Sequence, residues 1–149
     1  MNVLLDTSIL LRHTNKGDSL HQLTEQALVK LKLADHQLYI CGQNLIEFRS
    51  VVTRPVLSNG LGLSSAEADS RSHTYEQSFL WLPDVPDIFP AWKSIVAQLG
   101  IIGKQVHDAR LVAYCQVHHV EAILTYNINH FRRLATIGPS LVILDPATV

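Results

Sequence analysis

The stretch VLLDTSILL, residues 3–11, constrains this chain most. It opens as an unbroken apolar run and stops at a carboxylate, Asp6, followed at once by two hydroxyls, Thr7 and Ser8. An apolar run with no polar alternation reads as a strand buried on both faces, the mark of a parallel sheet. In open α/β sheets, ligands sit outside the carboxyl ends of the strands. Asp6 is therefore expected at the mouth of the fold. Capping of the following turn would by itself account for Thr7 and Ser8; a hydroxyl at that place can also serve a site, and Ser8 is the better candidate.

The rest of the chain alternates strands with helices. Residues 37–41, QLYIC, read as a second strand, 121–125, EAILT, as a third and 141–144, LVIL, as a fourth. A helix opened by Asp18 or Ser19 runs to about Leu33, with Leu20, Leu23, Ala27, Leu28 and Leu31 at helical spacing. Further helices are expected over 43–53, stopped by Pro55, and from a Ser64/Glu67 capping box to near Leu82. Others are expected over 88–99, ended by Gly100, over 106–119, and over the short stretch 127–134. Alternating elements of this kind give an α/β domain with a small parallel sheet of about four strands between layers of helices. Right-handed crossovers limit the topologies, and the long helical stretch between the second and third strands lets the chain cross back over the first, so the expected strand order is 2-1-3-4, with one crevice flanked by Asp6 and the Tyr126-Asn127 corner.

A length of 149 residues fits one domain, 1–149, which at this size needs no covalent staples. Its two cysteines, Cys41 and Cys115, fall in apolar elements and read as buried free thiols of a reducing compartment. No apolar stretch approaches the roughly 18 residues of a membrane span, and the N-terminus carries no basic leader or cleavage site. A cytoplasmic location is the expectation. The net charge of −1 excludes binding of nucleic acid by bulk charge, so any such contact is local.

Three carboxylates fall in suggestive places. Asp6 ends the first strand, Glu47 lies near the start of the helix after the second, and Asp108 lies in the first turn of the helix before the third. The positive end of a helix dipole stabilises an acid by about 0.3–1 kcal/mol, enough to account for either helical acid alone. Both, however, interrupt apolar helix faces, NLIEFRSVV and VHDARLVAYC. Acids gathered in one cleft repel one another unless a cation is present. Hard oxygen ligands suit Mg²⁺ or Mn²⁺ rather than zinc, and such ions assist phosphodiester cleavage. Zinc finds no H-E-x-x-H or C-x-x-C among the eight histidines and two cysteines.

VLLDTSILL, LIEF, HDARLVA and LTYNINHF, in this order and spacing, resemble the PIN-domain nucleases, and among them the VapC-type toxins of bacterial type II toxin–antitoxin pairs. The resemblance runs from Asp6 to Asp145. It implies a metal-dependent endoribonuclease in which Asp6, Glu47 and Asp108 hold Mg²⁺ or Mn²⁺ and the attacking water, leaving 5′-phosphate ends. It also implies a small antitoxin as partner, RNA as substrate and a homodimer. Many members carry a fourth acid where this chain has Asn127. That change lowers the site's charge to −3 from −4 and weakens the case for a second metal, while the amide oxygen can still hold a water.

Around this set, Thr125 is a strand-end hydroxyl and a candidate to touch the site. Lys104 and Arg12 are the cations best placed near the mouth to meet substrate phosphate, whereas Arg49 and Arg110 point off the faces that carry the acids. His107 adjoins Asp108 but reads as a surface histidine. Two other functions compete. One is a catalytically weak PIN-like module that binds protein or RNA, supported by Asn127. The other is a phosphoacceptor using Asp6 as nucleophile. That chemistry asks for an acid two residues on, where Ser8 stands, and no glycine-rich phosphate loop is present.

Overall fold

The computed structural model describes residues 1–149. The elements in chain order are β1 (Asn2–Leu5), α1 (Thr7–Thr14), α2 (His21–Leu33), β2 (Gln37–Cys41), α3 (Gly42–Val52) and α4 (Ser65–Ser78), the last preceded by a 3₁₀ turn at Val56–Ser58. β3 (Leu80–Leu82), α5 (Ile88–Leu99), α6 (Gln105–Val117), β4 (Ala122–Leu124), α7 (Ile128–Leu134) and β5 (Val142–Leu144) follow. All strand pairs are parallel, and the sheet runs β3-β2-β1-β4-β5.

The expected order of four strands survives as β2-β1-β4-β5, with one strand more. The helix begun by Ser64 was expected to reach Leu82; it ends at Ser78, and Leu80–Leu82 pairs with β2 as an edge strand. Only Ala68 and Tyr75 of α4 are buried, so nothing apolar draws the helix onward. The run Phe79-Leu80-Trp81-Leu82 is aromatic and apolar, a composition that suits a pleated edge, and Pro83 stops it. α2 likewise starts three residues after Asp18, whose Oδ1 accepts the Leu20 N–H at 2.8 Å.

Successive strand residues serve opposite faces. Val3 and Leu5 face α1–α4 with Leu38, Ile40, Ala122 and Leu124. Leu4 and Ile123 face α5–α7 with Cys41. Both faces are covered, which is why β1 is apolar without alternation. Cys41 and Cys115 are buried and unpaired, as expected.

One buried side chain joins the two strand ends that carry the site. Asn44, wholly buried on α3, donates from Nδ2 to the Leu5 carbonyl at 3.0 Å and to Thr7 Oγ1 at 3.3 Å. Its Oδ1 accepts the Cys41 N–H at 2.8 Å. The turn after β1 is thereby fixed to the turn after β2. Leaving buried partners unsatisfied costs about 1–3 kcal/mol, and a domain of this size loses roughly 2–4 °C of melting temperature per kcal/mol. Asn44→Ala is therefore expected to melt several degrees lower, measured by thermal unfolding in circular dichroism.

Candidate active site

Asp6 leaves the end of β1 as the residue before α1. It occupies the N-cap position, yet its side chain makes no capping bond; it turns instead into a cleft at the carboxyl edge of the sheet. The cleft, of about 530 Å³, is lined among others by Asp6, Ser8, Glu47, Lys104, Asp108 and Asn127. Chain segments 119 residues apart meet there: Thr125 Oγ1, at the end of β4, donates to Asp6 Oδ2 at 2.7 Å. Ser8 Oγ donates to the same oxygen at 2.6 Å. Oδ1 has no side-chain donor.

Glu47 stands in the second turn of α3 rather than the first, so its place owes little to the helix dipole, whose effect fades beyond the first turn. Thr7 Oγ1 donates to its Oε2 at 2.8 Å and Gln43 Nε2 to its Oε1 at 2.6 Å. Thr7 and Ser8 thus spend their hydroxyls on the two acids and not on capping α1. Asp108 lies in the first turn of α6. Its nearest basic neighbour is His130, whose Nδ1 lies 3.7 Å from Oδ2, an ion pair only when the imidazole carries a proton.

The electrostatics follow from this crowding. Burial pushes the Asp6 carboxyl above the usual carboxylate range, the Ser8 and Thr125 hydroxyls pull it back, and the charge of Glu47 raises it again. Asp108 is pushed up to about 6, first by burial and then by the charges of Asp6 and Glu47, with His130 opposing. Lys104 and Arg54 line the cleft, but neither forms an ion pair with any of the three acids.

Two expected contacts fall elsewhere or take another form. Arg12 pairs with Asp18, stands over the Tyr126 ring and lines a neighbouring hollow with Asn15 and Asn59. Thr125 is buried and reaches the site through Asp6, while its Oγ1 also accepts the Asn127 N–H at 2.9 Å. Arg49 and Arg110 pair with Asp69 and Asp84, away from the acids. Gln43, His130 and Arg54 belong to the surroundings of the site and were not singled out from sequence. Gln43 alone had a usable signal, its position four residues before Glu47 on one helix face.

The donor set suits a hard divalent cation. It offers carboxylate and amide oxygens, a surplus of negative charge that no lysine or arginine neutralises, and an Asp6 oxygen free of side-chain donors. No three acidic, histidine or cysteine groups converge closely enough to hold an ion by themselves. An open arrangement agrees with Mg²⁺, which keeps several waters and takes one or two protein carboxylates.

Several solved structures share this fold. The chain aligns over 98% of its length with 98% of a chain in the DNA-bound VapBC structure from Salmonella typhimurium, at 14% identity and a TM-score of 0.69. It aligns over 99% of its length with all of a chain in VapBC-1 from nontypeable Haemophilus influenzae, at 15% identity and 0.68. VapC20 of Mycobacterium tuberculosis, described as a sarcin-ricin loop cleaving toxin, is matched over 87% of this chain and 93% of its own, at 14% identity and 0.65. These likenesses show a shared fold. No curated protein matches the sequence. A sequence profile of the PIN domain matches residues 3–137, nearly the whole chain, and the chain belongs to the PIN-domain family.

Proposed function

We propose that this protein is a divalent-metal-dependent endoribonuclease, the toxin of a toxin–antitoxin pair. The observation that carries the proposal is the meeting of Asp6, Glu47 and Asp108 at one cleft with no lysine or arginine paired to them. PIN-domain membership supports nuclease chemistry, and the VapBC complexes among similar structures support an antitoxin as partner. The ribonuclease reading draws on the neighbour described as a sarcin-ricin loop cleaving toxin.

In this reading Asp6 presents its free Oδ1, held in place by Ser8 and Thr125. Glu47 is fixed by Thr7 and Gln43, and Asp108 completes the set from the opposite helix. A bound Mg²⁺ or Mn²⁺ would offset the charge of acids and phosphate and make water a better nucleophile. The exposed amide of Asn127 orients water, and Lys104 on the rim meets the substrate phosphate. Water adds at phosphorus and the 3′-oxygen leaves, so the products carry 5′-phosphate and 3′-hydroxyl ends. Arg12, tied to Asp18, bears on RNA only beyond the cleft. A second copy of the chain is the expected oligomeric partner; Phe89, 64% exposed beside Trp92, supplies apolar surface for it. A catalytically weak module that binds protein or RNA is the second reading, favoured by Asn127 where many members carry an acid.

Purified protein is expected to cut mixed cellular RNA with Mg²⁺ or Mn²⁺ and not with EDTA. Asp6→Asn should lower the rate by more than the roughly 10–100-fold typical of losing a residue that only supports a metal ligand. No cleavage by folded, partner-free wild type under either metal would favour the binding module.

Stability without metal should report the crowding. A carboxyl whose pKa rises on folding binds more protons in the folded state, so stability falls as pH rises from its unfolded value, near 4, through about 6. Metal-free Asp108→Asn is therefore expected to melt higher than wild type at pH 7, by a few degrees at roughly 2–4 °C per kcal/mol. The difference should vanish below about pH 4. Thermal scans across pH check both.

A further inference from the structure

Gln43 is 6% exposed and lies on α3 one turn before Glu47. Its Nε2 donates to Glu47 Oε1 at 2.6 Å and to the main-chain carbonyl of His107 at 2.8 Å. Its Oε1 accepts from Arg110 Nη1 at 3.2 Å. One side chain thus ties Glu47 to the backbone of α6 just before Asp108. A carboxamide is nearly symmetric in shape and opposite in charge at its two ends. Turned over, it would set its oxygen against the Glu47 carboxylate and its NH₂ against the guanidinium. The His107 carbonyl and Arg110 therefore both favour the NH₂ end toward Glu47.

Arg110 is itself fixed. Its Nη2 donates to Asp84 Oδ1 at 2.7 Å, its guanidinium carbon lies 5.0 Å from the centre of the Tyr114 ring, and the Tyr114 hydroxyl donates to the same Asp84 oxygen. Asp84 belongs to the turn after β3. The Asp84–Arg110 pair is well exposed, and exposed pairs add little to stability. What the pair adds is direction, because a planar guanidinium can address two acceptors at a fixed angle where an ammonium cannot.

We propose that Gln43 is a positioning residue for Glu47, and that Arg110, anchored by Asp84 and Tyr114, joins the His107 carbonyl in setting its orientation. The inference deepens the nuclease reading above and rests on Glu47 being a metal ligand. Groups that hold a ligating carboxylate in place typically contribute 10–100-fold in metal affinity or activity.

The test compares wild type, Gln43→Met, Arg110→Lys and Glu47→Gln, each confirmed folded by circular dichroism. Mn²⁺ affinity is read by electron paramagnetic resonance, RNA cleavage is followed against Mg²⁺ concentration, and the Gln43 side-chain amide is observed by nuclear magnetic resonance. Gln43→Met, which keeps the length and loses both donors, is expected to bind Mn²⁺ about 10–100-fold more weakly. Its cleavage should recover at high Mg²⁺ with the KM for RNA unchanged, a split that general loss of structure would not produce. Arg110→Lys should weaken Mn²⁺ binding less and should speed the solvent exchange of the Gln43 NH₂, which is expected to be slow in wild type. If Gln43→Met fails to fold, Arg110→Lys carries the same comparison. Wild-type affinity in both variants, with affinity lost in Glu47→Gln, would overturn this inference and leave the nuclease reading standing. Absence of Mn²⁺ binding by wild type would overturn both.

Discussion

The repulsion among Asp6, Glu47 and Asp108 organises the rest of the site. Asp6 is 3% exposed and Asp108 is pushed up to about 6, so the fold holds at least one of its acids well above its ordinary range. An isolated chain gains nothing from this arrangement; burying like charges destabilises the folded state. It is sustained because the neighbouring polar groups are arranged around it. Ser8 and Thr125 donate to Asp6, and Thr7 and Gln43 donate to Glu47. Hydroxyls and an amide soften the repulsion without cancelling the charge, as an ion pair would. The charge therefore stays available to a cation.

Four separate parts of the chain supply these groups, and parallel topology is what brings them together. In a parallel sheet every strand ends on the same edge, so the residues after β1, β2 and β4 meet there without long excursions. Asn44 fixes two of these ends to one another, and Thr125 and Asp6 fix the third. The two cores on either face of the sheet hold the strand ends in place, since a slip of any strand would disrupt close packing on both sides. Stability is thereby concentrated away from the edge that carries the acids.

Much of this architecture was legible in the sequence because it depends on local pattern. The apolar run ending at Asp6, the capping box at Ser64 and the left-handed Gly100 closing α5 each announce themselves within a few residues. Placement of Asp6, Glu47, Asp108, Asn127 and Lys104 on one cleft followed from topology and from resemblance. β3 was not legible, because no glycine or proline separates its three residues from the helix before them and so short a strand is defined by its pairing with β2. Arg12 was expected at the mouth, but no periodicity foretells that Asp18 turns back to pair with it. The Arg110–Gln43 contact spans 67 positions and joins two helices. Its two residues give no sign of each other along the chain.

The most direct test of the central claim is calorimetry of Mn²⁺ binding to metal-free protein near pH 6, in buffers of different ionisation enthalpy, which counts the protons released. If the crowded acids await a cation, binding must discharge the proton held by Asp108. Release should be substantial near pH 6, fade by about pH 8 and be lost with metal binding in Asp6→Asn. Saturable Mn²⁺ binding with no proton release at any pH, or binding unaffected by Asp6→Asn, would contradict the claim.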